Sequence, residues 1–279
     1  MGAVGMNGTP SFGTLLRSWR QRRRHTQMSL ALEAEVSARH LSCLETGKAK
    51  PSGAMVETLA EVLEVPLQQR NAMLLAAGLA PRYASTDLGQ DEARHVRAAV
   101  EFLLVRHYPY PALVVDEQWD VMMANDAYVQ LVCALRGGPA PPPRPEAVHR
   151  GPPLEGSNAL LPVFEDPAIR SRLRNEKVFA RAVLEHLRGA ARTHRGAAEV
   201  RRRIQRAVGP LESGHGAAPL VIPLEFDVDG STLAMFSTMT MLGTSADVVL
   251  STMRVETHFP ANPHSERLLR AIAAGNAPP

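Results

Sequence analysis

Cysteine is nearly absent. The 279 residues contain only Cys43 and Cys133, far apart and outside any CxxC spacing, which excludes a disulfide framework and a cysteine-based zinc site. Long apolar runs are missing too, and none approaches the ~20 residues a helix needs to cross a bilayer. The N-terminus lacks the apolar core of a signal peptide, and Met6 stands where a myristoylation signal requires Ser or Thr. A cytoplasmic protein with no membrane partner is the expectation. The HExxH, GxSxG, P-loop and strand-following GxGxxG patterns do not occur. The ten histidines are scattered; His258 and His264 read as exposed polar residues rather than ligands. The chain is therefore expected to be no enzyme and to need no cofactor or metal, an enzyme joined to a binding module being the weaker alternative.

Net positive charge is confined to one end. Residues 12–50 carry eight Lys/Arg (Arg17, Arg20, Arg22, Arg23, Arg24, Arg39, Lys48 and Lys50) against Glu33, Glu35 and Glu45, a local excess of +5 in a chain whose total is +3. A basic patch is the electrostatic footprint of phosphate contacts. A basic run is by itself usually a solvated face, so Arg22, Arg23 and Arg24 gain weight only from their position. They stand beside the most informative stretch, TQMSLALEAEVSARHLSCLETG, residues 26–47.

That stretch reads as two short helices around a tight turn. Leu30, Ala31 and Ala34 give the first a small apolar face, and Val36 points inward at the turn. Ser37 is an N-cap for a helix from Ala38 to Glu45. Leu41 and Leu44 bury one face of it, leaving Ala38, Arg39, Ser42 and Cys43 outward. Gly47 supplies the left-handed stop. The bland alternative is a generic amphipathic helical pair. Against it, residues 26–47 resemble, without a gap, the Xre-type (lambda-repressor-like) DNA-binding domains. The resemblance implies that Gln27 clamps phosphate, that Ala38, Arg39 and Cys43 read bases, and that Arg20 and Glu45 join the first helix to the end of the recognition helix. Glu35 departs from the family, which often has Gly there. The expected DNA-contacting set is Arg20, Gln27, Ser37, Ala38, Arg39, His40, Ser42, Cys43 and Lys48.

The length allows two domains. Residues 1–11 read as disordered, 12–80 as a five-helix DNA-binding domain, 81–107 as linker and connecting helix, 108–265 as an α+β domain, and 266–279 as a tail. Helices are expected near 55–63, from Pro66 at N1 to Ala77, and over 91–107. Leu59, Val62, Leu63, Leu67, Met73, Leu74 and Leu75 should close the N-terminal core on Leu15, Leu16 and Trp19. Val96, Val100, Leu103 and Leu104 should share one face of the connecting helix. Strands are expected over 111–116 and 119–125, then a helix 126–135, a Pro-rich loop 137–153 and helices 167–174 and 176–191. Strands 220–228 and 231–241 flank Asp229-Gly230, a type I′ hairpin signal, and a last strand covers 247–259. Strands, helices and then an antiparallel sheet are in the order of a PAS-like fold.

The segments RNAMLLAAGLAPRY, YPYPALVVDEQWDVMMAND and FSTMTMLGTSADVVLSTMRVETHFP extend the resemblance to about residues 12–270 and identify the chain as similar to the MmyB-like regulators. That implies a transcription factor whose C-terminal domain holds a fatty-acid-like molecule. The hairpin register would put Leu224, Phe226, Leu233, Met235, Met239 and Met241 on one apolar face, which either packs on helices or lines a ligand cavity. Arg254 is the candidate carboxylate anchor, with solvent as its other destination. The leading expectation is a homodimer that binds a double-stranded DNA operator under control of a hydrophobic effector. The runner-up is a ligand-independent repressor whose C-terminal half only dimerises.

Overall fold

A computed structural model describes residues 10–85, 91–150, 157–193, 195–211, 223–241 and 247–276. They fall into two compact units, one formed by 10–85 with 247–251 and the other by the remainder.

The N-terminal unit is five helices: α1 (Phe12–Arg22), α2 (Gln27–Glu33), α3 (Ala38–Glu45), α4 (Gly53–Val62) and α5 (Leu67–Ala76). Ser11, Thr26, Ser37 and Ser52 begin the first four, each hydroxyl accepting the N–H three residues on, which satisfies a helix-end donor. Pro66 is the N-cap of α5 rather than its first residue. Leu16, Trp19, Leu30, Leu41, Leu44, Leu59, Leu63, Met73 and Leu74 form the core. Leu75, expected there, is instead 59% exposed, because Met73 and Leu74 already occupy the inward stripe of α5. The turn between α2 and α3 holds Glu35 at φ 56°, the left-handed conformation that makes Gly the common residue there. The expected disorder of residues 1–11 lies outside the described residues except for its end, where Ser11 caps α1.

The C-terminal unit begins with a short 3-10 turn and α6 (Arg94–Arg106). It continues through β1 (Ala112–Val115), β2 (Val121–Asn125), α7 (Asp126–Arg136), β3 (Val148–His149), α8 (Leu161–Glu165), α9 (Pro167–Arg172), α10 (Glu176–Thr193) and α11 (Arg195–Val208). Then come β4 (Leu224–Val228), β5 (Ser231–Met241), β6 (Arg254–Pro260) and α13 (Pro263–Ala273), while α12 (Val248–Thr252), between β5 and β6 in the chain, falls with the first unit except for its last residue. The sheet order is β3-β2-β1-β6-β5-β4, and every pair is antiparallel. Without β3 this is the five-stranded arrangement of a PAS-like fold. Leu224 pairs with Met235 and Phe226 with Leu233, as the hairpin arithmetic requires, and Asp229 and Gly230 turn at φ 50° and 87°, both positive as a type I′ turn demands. Asn125 is fully buried. Its amide binds the carbonyls of Leu104 and Tyr110 while its carbonyl accepts from Ala112 and Tyr128, fastening α6, β1 and α7 at one point.

Several expectations need correction. The segment 247–253 is not strand: the Asp247 carboxylate accepts the N–H groups of Val249 and Leu250 and starts a helical turn that the paired valines disguise. The tail is α13, whose Leu268, Leu269 and Ile272 are buried in the core. The Pro-rich loop contributes β3, held by the buried Asp126 carboxylate, which accepts from Arg144 N–H and His149. Leu103 is exposed, only Val100 and Leu104 on α6 being buried. Of the strand expected from Leu220, the first three residues lie outside the described ones. Helices α8 and α11 had no counterpart in the sequence reading.

Candidate functional site

α3 presents the groove-sized helical face of the N-terminal unit, and a charged cluster under its end fixes where that face lies. Arg20 of α1 donates from Nε to Glu45 Oε1 at 2.5 Å and from Nη2 to Oε2 at 3.0 Å, while Nη1 reaches the His25 carbonyl at 3.0 Å. Gln27 adds Nε2 to the same carboxylate at 2.8 Å. The Arg20 and Glu45 side chains are only 11% and 4% exposed. Burial opposes ionisation of Glu45, but the hydrogen bonds from Arg20 and Gln27 and the charges of Arg20 and Arg17 outweigh it and hold the carboxyl below its ordinary value. The bond to Glu45 holds the Arg20 guanidinium above its ordinary value, against the opposing pull of burial. Gly13 lets α1 approach closely, since a Cβ there would lie 2.5 Å from the Glu45 carbonyl oxygen and 2.6 Å from that of Leu44.

The expected Arg20–Glu45 junction is present, and the residues of the expected contact set differ in how far they are already engaged. Arg20 is committed to Glu45 and is not a free cation, and Gln27 has used one of its two amide N–H groups on the same carboxylate. Ser37 accepts from His40 N–H as the cap. Ala38 packs partly against the core. Arg39 and Lys48 are exposed, and Arg39 has no intramolecular partner among the described residues; His40, Ser42 and Cys43 are half-buried beside it. Of the basic run, Arg23 binds the carbonyls of Leu63 and Glu64 and so closes the end of α4. Arg22 lies over the Trp19 ring at 5.3 Å. Only side-chain reach across the fold reveals these duties; charge counting does not.

In the C-terminal unit the sheet and the helices α7–α10 enclose a cavity of about 240 Å³. Leu224, Phe226 and Met235 line it, with Leu113 from β1, Leu131 and Leu135 from α7, Ile169 from α9 and Phe179 from α10. The remaining expected residues do not. Leu233 is core beside it, Met239 only packs against that core, and Met241 is 56% exposed because the end of β5 runs past the helices. Arg254 is also absent from the lining: its guanidinium lies 6.0 Å from the Trp119 ring centre, and burial lowers its pKa despite the nearby charges of Glu117 and Asp116. Among the polar lining residues that escaped the sequence reading are Tyr128, Glu256 and His258. His258, expected to be exposed, is half-buried and faces inward, because alternation on β6 puts it on the same face as Glu256. The signal available was a Glu and a His two apart, and so on one face, in the strand Arg254–Pro260.

Among the described residues no cluster of His, Cys, Asp and Glu is built to hold a metal ion, and no helix is long and apolar enough to cross a membrane. A helix-turn-helix domain model matches residues 11–73. The model described as the MmyB-like transcription regulator ligand binding domain matches residues 96–272. Both describe regulatory domains and neither is enzymatic. No curated protein matches the chain.

Proposed function

The chain belongs to the MmyB-like transcription regulators, DNA-binding proteins with a helix-turn-helix and a ligand-binding domain, and from that premise we propose that it binds its operator as a homodimer whose affinity responds to a hydrophobic molecule in the cavity. Residues 12–80 carry the DNA contacts, and the C-terminal half, α13 included, carries the effector. The observation behind the DNA half is the clamped α3, which holds Arg39 outward and unpartnered with Ser42 and Cys43 along the same helix. Arg39 is assigned to a base edge, His40 and Lys48 to phosphates, and Gln27 to a phosphate through its second amide N–H. The apolar cavity supports the effector half, its lining matching the tail of a fatty-acid-like molecule. A DNA-bound regulator of this kind works in the cytoplasm.

Selection of duplexes from random-sequence DNA by the full chain tests the dimer. The enriched sites should show two inverted half-sites about 34–36 Å apart or a multiple of that spacing. Enrichment of a single half-site would overturn the dimeric reading. Mass spectrometry of small molecules released from the purified protein tests the effector. An apolar molecule at one per chain is expected, and a consistently empty protein that binds operator with full affinity favours a C-terminal half that only dimerises.

A further inference from the structure

The cavity wall contains a carboxylate that accepts no hydrogen bond among the described residues. Glu256 sits mid-strand on β6, paired in register with Leu113 on one side and Met239 on the other, and the residue is only 9% exposed. Its carboxylate, unlike its backbone, makes no hydrogen bond among the described residues. The nearest imidazole nitrogen, His258 Nε2, is 3.8 Å from Oε1, beyond hydrogen-bond reach. His258 Nδ1 is buried and likewise unpartnered. Tyr128 also lines the cavity. Burial and the charge of Glu256 push its hydroxyl above the ordinary tyrosine value, so it stays a protonated donor.

Apart from the imidazoles of His258 and His186, which lie near enough to interact with Glu256, the cations that would balance it are elsewhere. Arg254, two residues along the same face, forms no ion pair with it and lies over Trp119. Arg136, the one Arg or Lys in the lining, is half exposed and donates to Asp166 at 2.9 Å. A buried acceptor without a donor is unfavourable. An incoming carboxylate would add a like charge in a poorly solvated space, whereas a cationic donor would make a charge-assisted hydrogen bond there.

We propose that the effector is an apolar molecule with an ammonium head, seated on Glu256 with His258 and Tyr128 beside it. This rests on the reading of the cavity as the effector site and replaces the fatty-acid carboxylate with a head of opposite charge. Among ligands sharing one apolar tail, the head group then decides affinity.

Calorimetric titration of the full chain with octylammonium, octan-1-ol and octanoate at neutral pH tests it. Octylammonium should bind on the order of tenfold or more tighter than octanoate. In Glu256→Gln that advantage should disappear while octan-1-ol binding is unchanged. Octanoate binding as tightly as octylammonium, or an advantage that survives Glu256→Gln, overturns the ammonium head and leaves the effector site standing. The ranking of the three heads on the parent protein decides the matter if Glu256→Gln does not fold. If none of the three binds, or if Val132→Trp, which places a large ring on the cavity wall, leaves binding intact, the cavity itself is not the site and both readings fall.

Discussion

Single residues divide into those that hold α3 and those it displays. Arg20, Glu45 and Gln27 form a buried group, and removing one member of such a pair strands the other, at a cost of about 3–5 kcal/mol. Glu45→Ala should therefore lower the denaturant midpoint of the N-terminal unit markedly; a change within error would mean that the pair is not needed to fix the helix. The pH dependence follows from the depressed carboxyl. Its stabilising contribution is complete above the unfolded-state value and is lost as pH falls through the lower folded value, so acid unfolding should be shallower in Glu45→Ala. Arg39 belongs to the displayed class. Its replacement by Ala should reduce operator affinity by ~1–3 kcal/mol while largely sparing non-specific binding, as read by anisotropy with selected and scrambled duplexes. Equal losses on both would assign it to phosphate. Sequence pattern made α3 and its outward residues legible, because capping and a three-residue apolar spacing are local. The resemblance anticipated the Arg20–Glu45 pair, but pattern could not separate Arg23 from a functional cation, since its partners Leu63 and Glu64 are far along the chain.

At the level of elements, two backbone positions govern how α3 is set. Gly13 lies where α1 meets the carbonyl end of α3, and main-chain atoms there have little freedom to retreat. Gly13→Ala should cost ~1–3 kcal/mol through overpacking, measured by chemical unfolding; full parental stability would deny the close approach. Glu35 stands at φ 56°, a conformation unfavourable for a side chain by ~1–2 kcal/mol. Glu35→Gly relieves that strain but adds freedom to the unfolded chain, giving a net gain of up to ~1 kcal/mol. A loss on that substitution would mean that Glu35 makes a contact worth more than the strain. In the C-terminal unit the strands and the Asp229-Gly230 turn were readable from alternation and turn chemistry. Helix α11 was not, because its inward Ala197, Val200 and Ile204 are interleaved with arginines. The cavity face followed correctly from register, whereas its extent did not: where β5 leaves the helices, Met241 keeps the inward phase but loses the wall opposite it.

For the whole molecule the central claim is a coupling free energy between cavity and operator, which requires that the effector bind the DNA-competent and DNA-incompetent states unequally. The most direct measurement is the operator affinity of the full chain and of Val132→Trp, each with and without saturating octylammonium, on a duplex selected from random DNA. The account predicts that the amine changes the parent's affinity by about 5-fold or more, the lower end of ordinary coupling, and that folded, dimeric Val132→Trp has a shifted affinity that no longer responds. Identical affinities in all four conditions, with amine binding to the parent confirmed by calorimetry, would contradict it and reduce the C-terminal half to a dimerisation module.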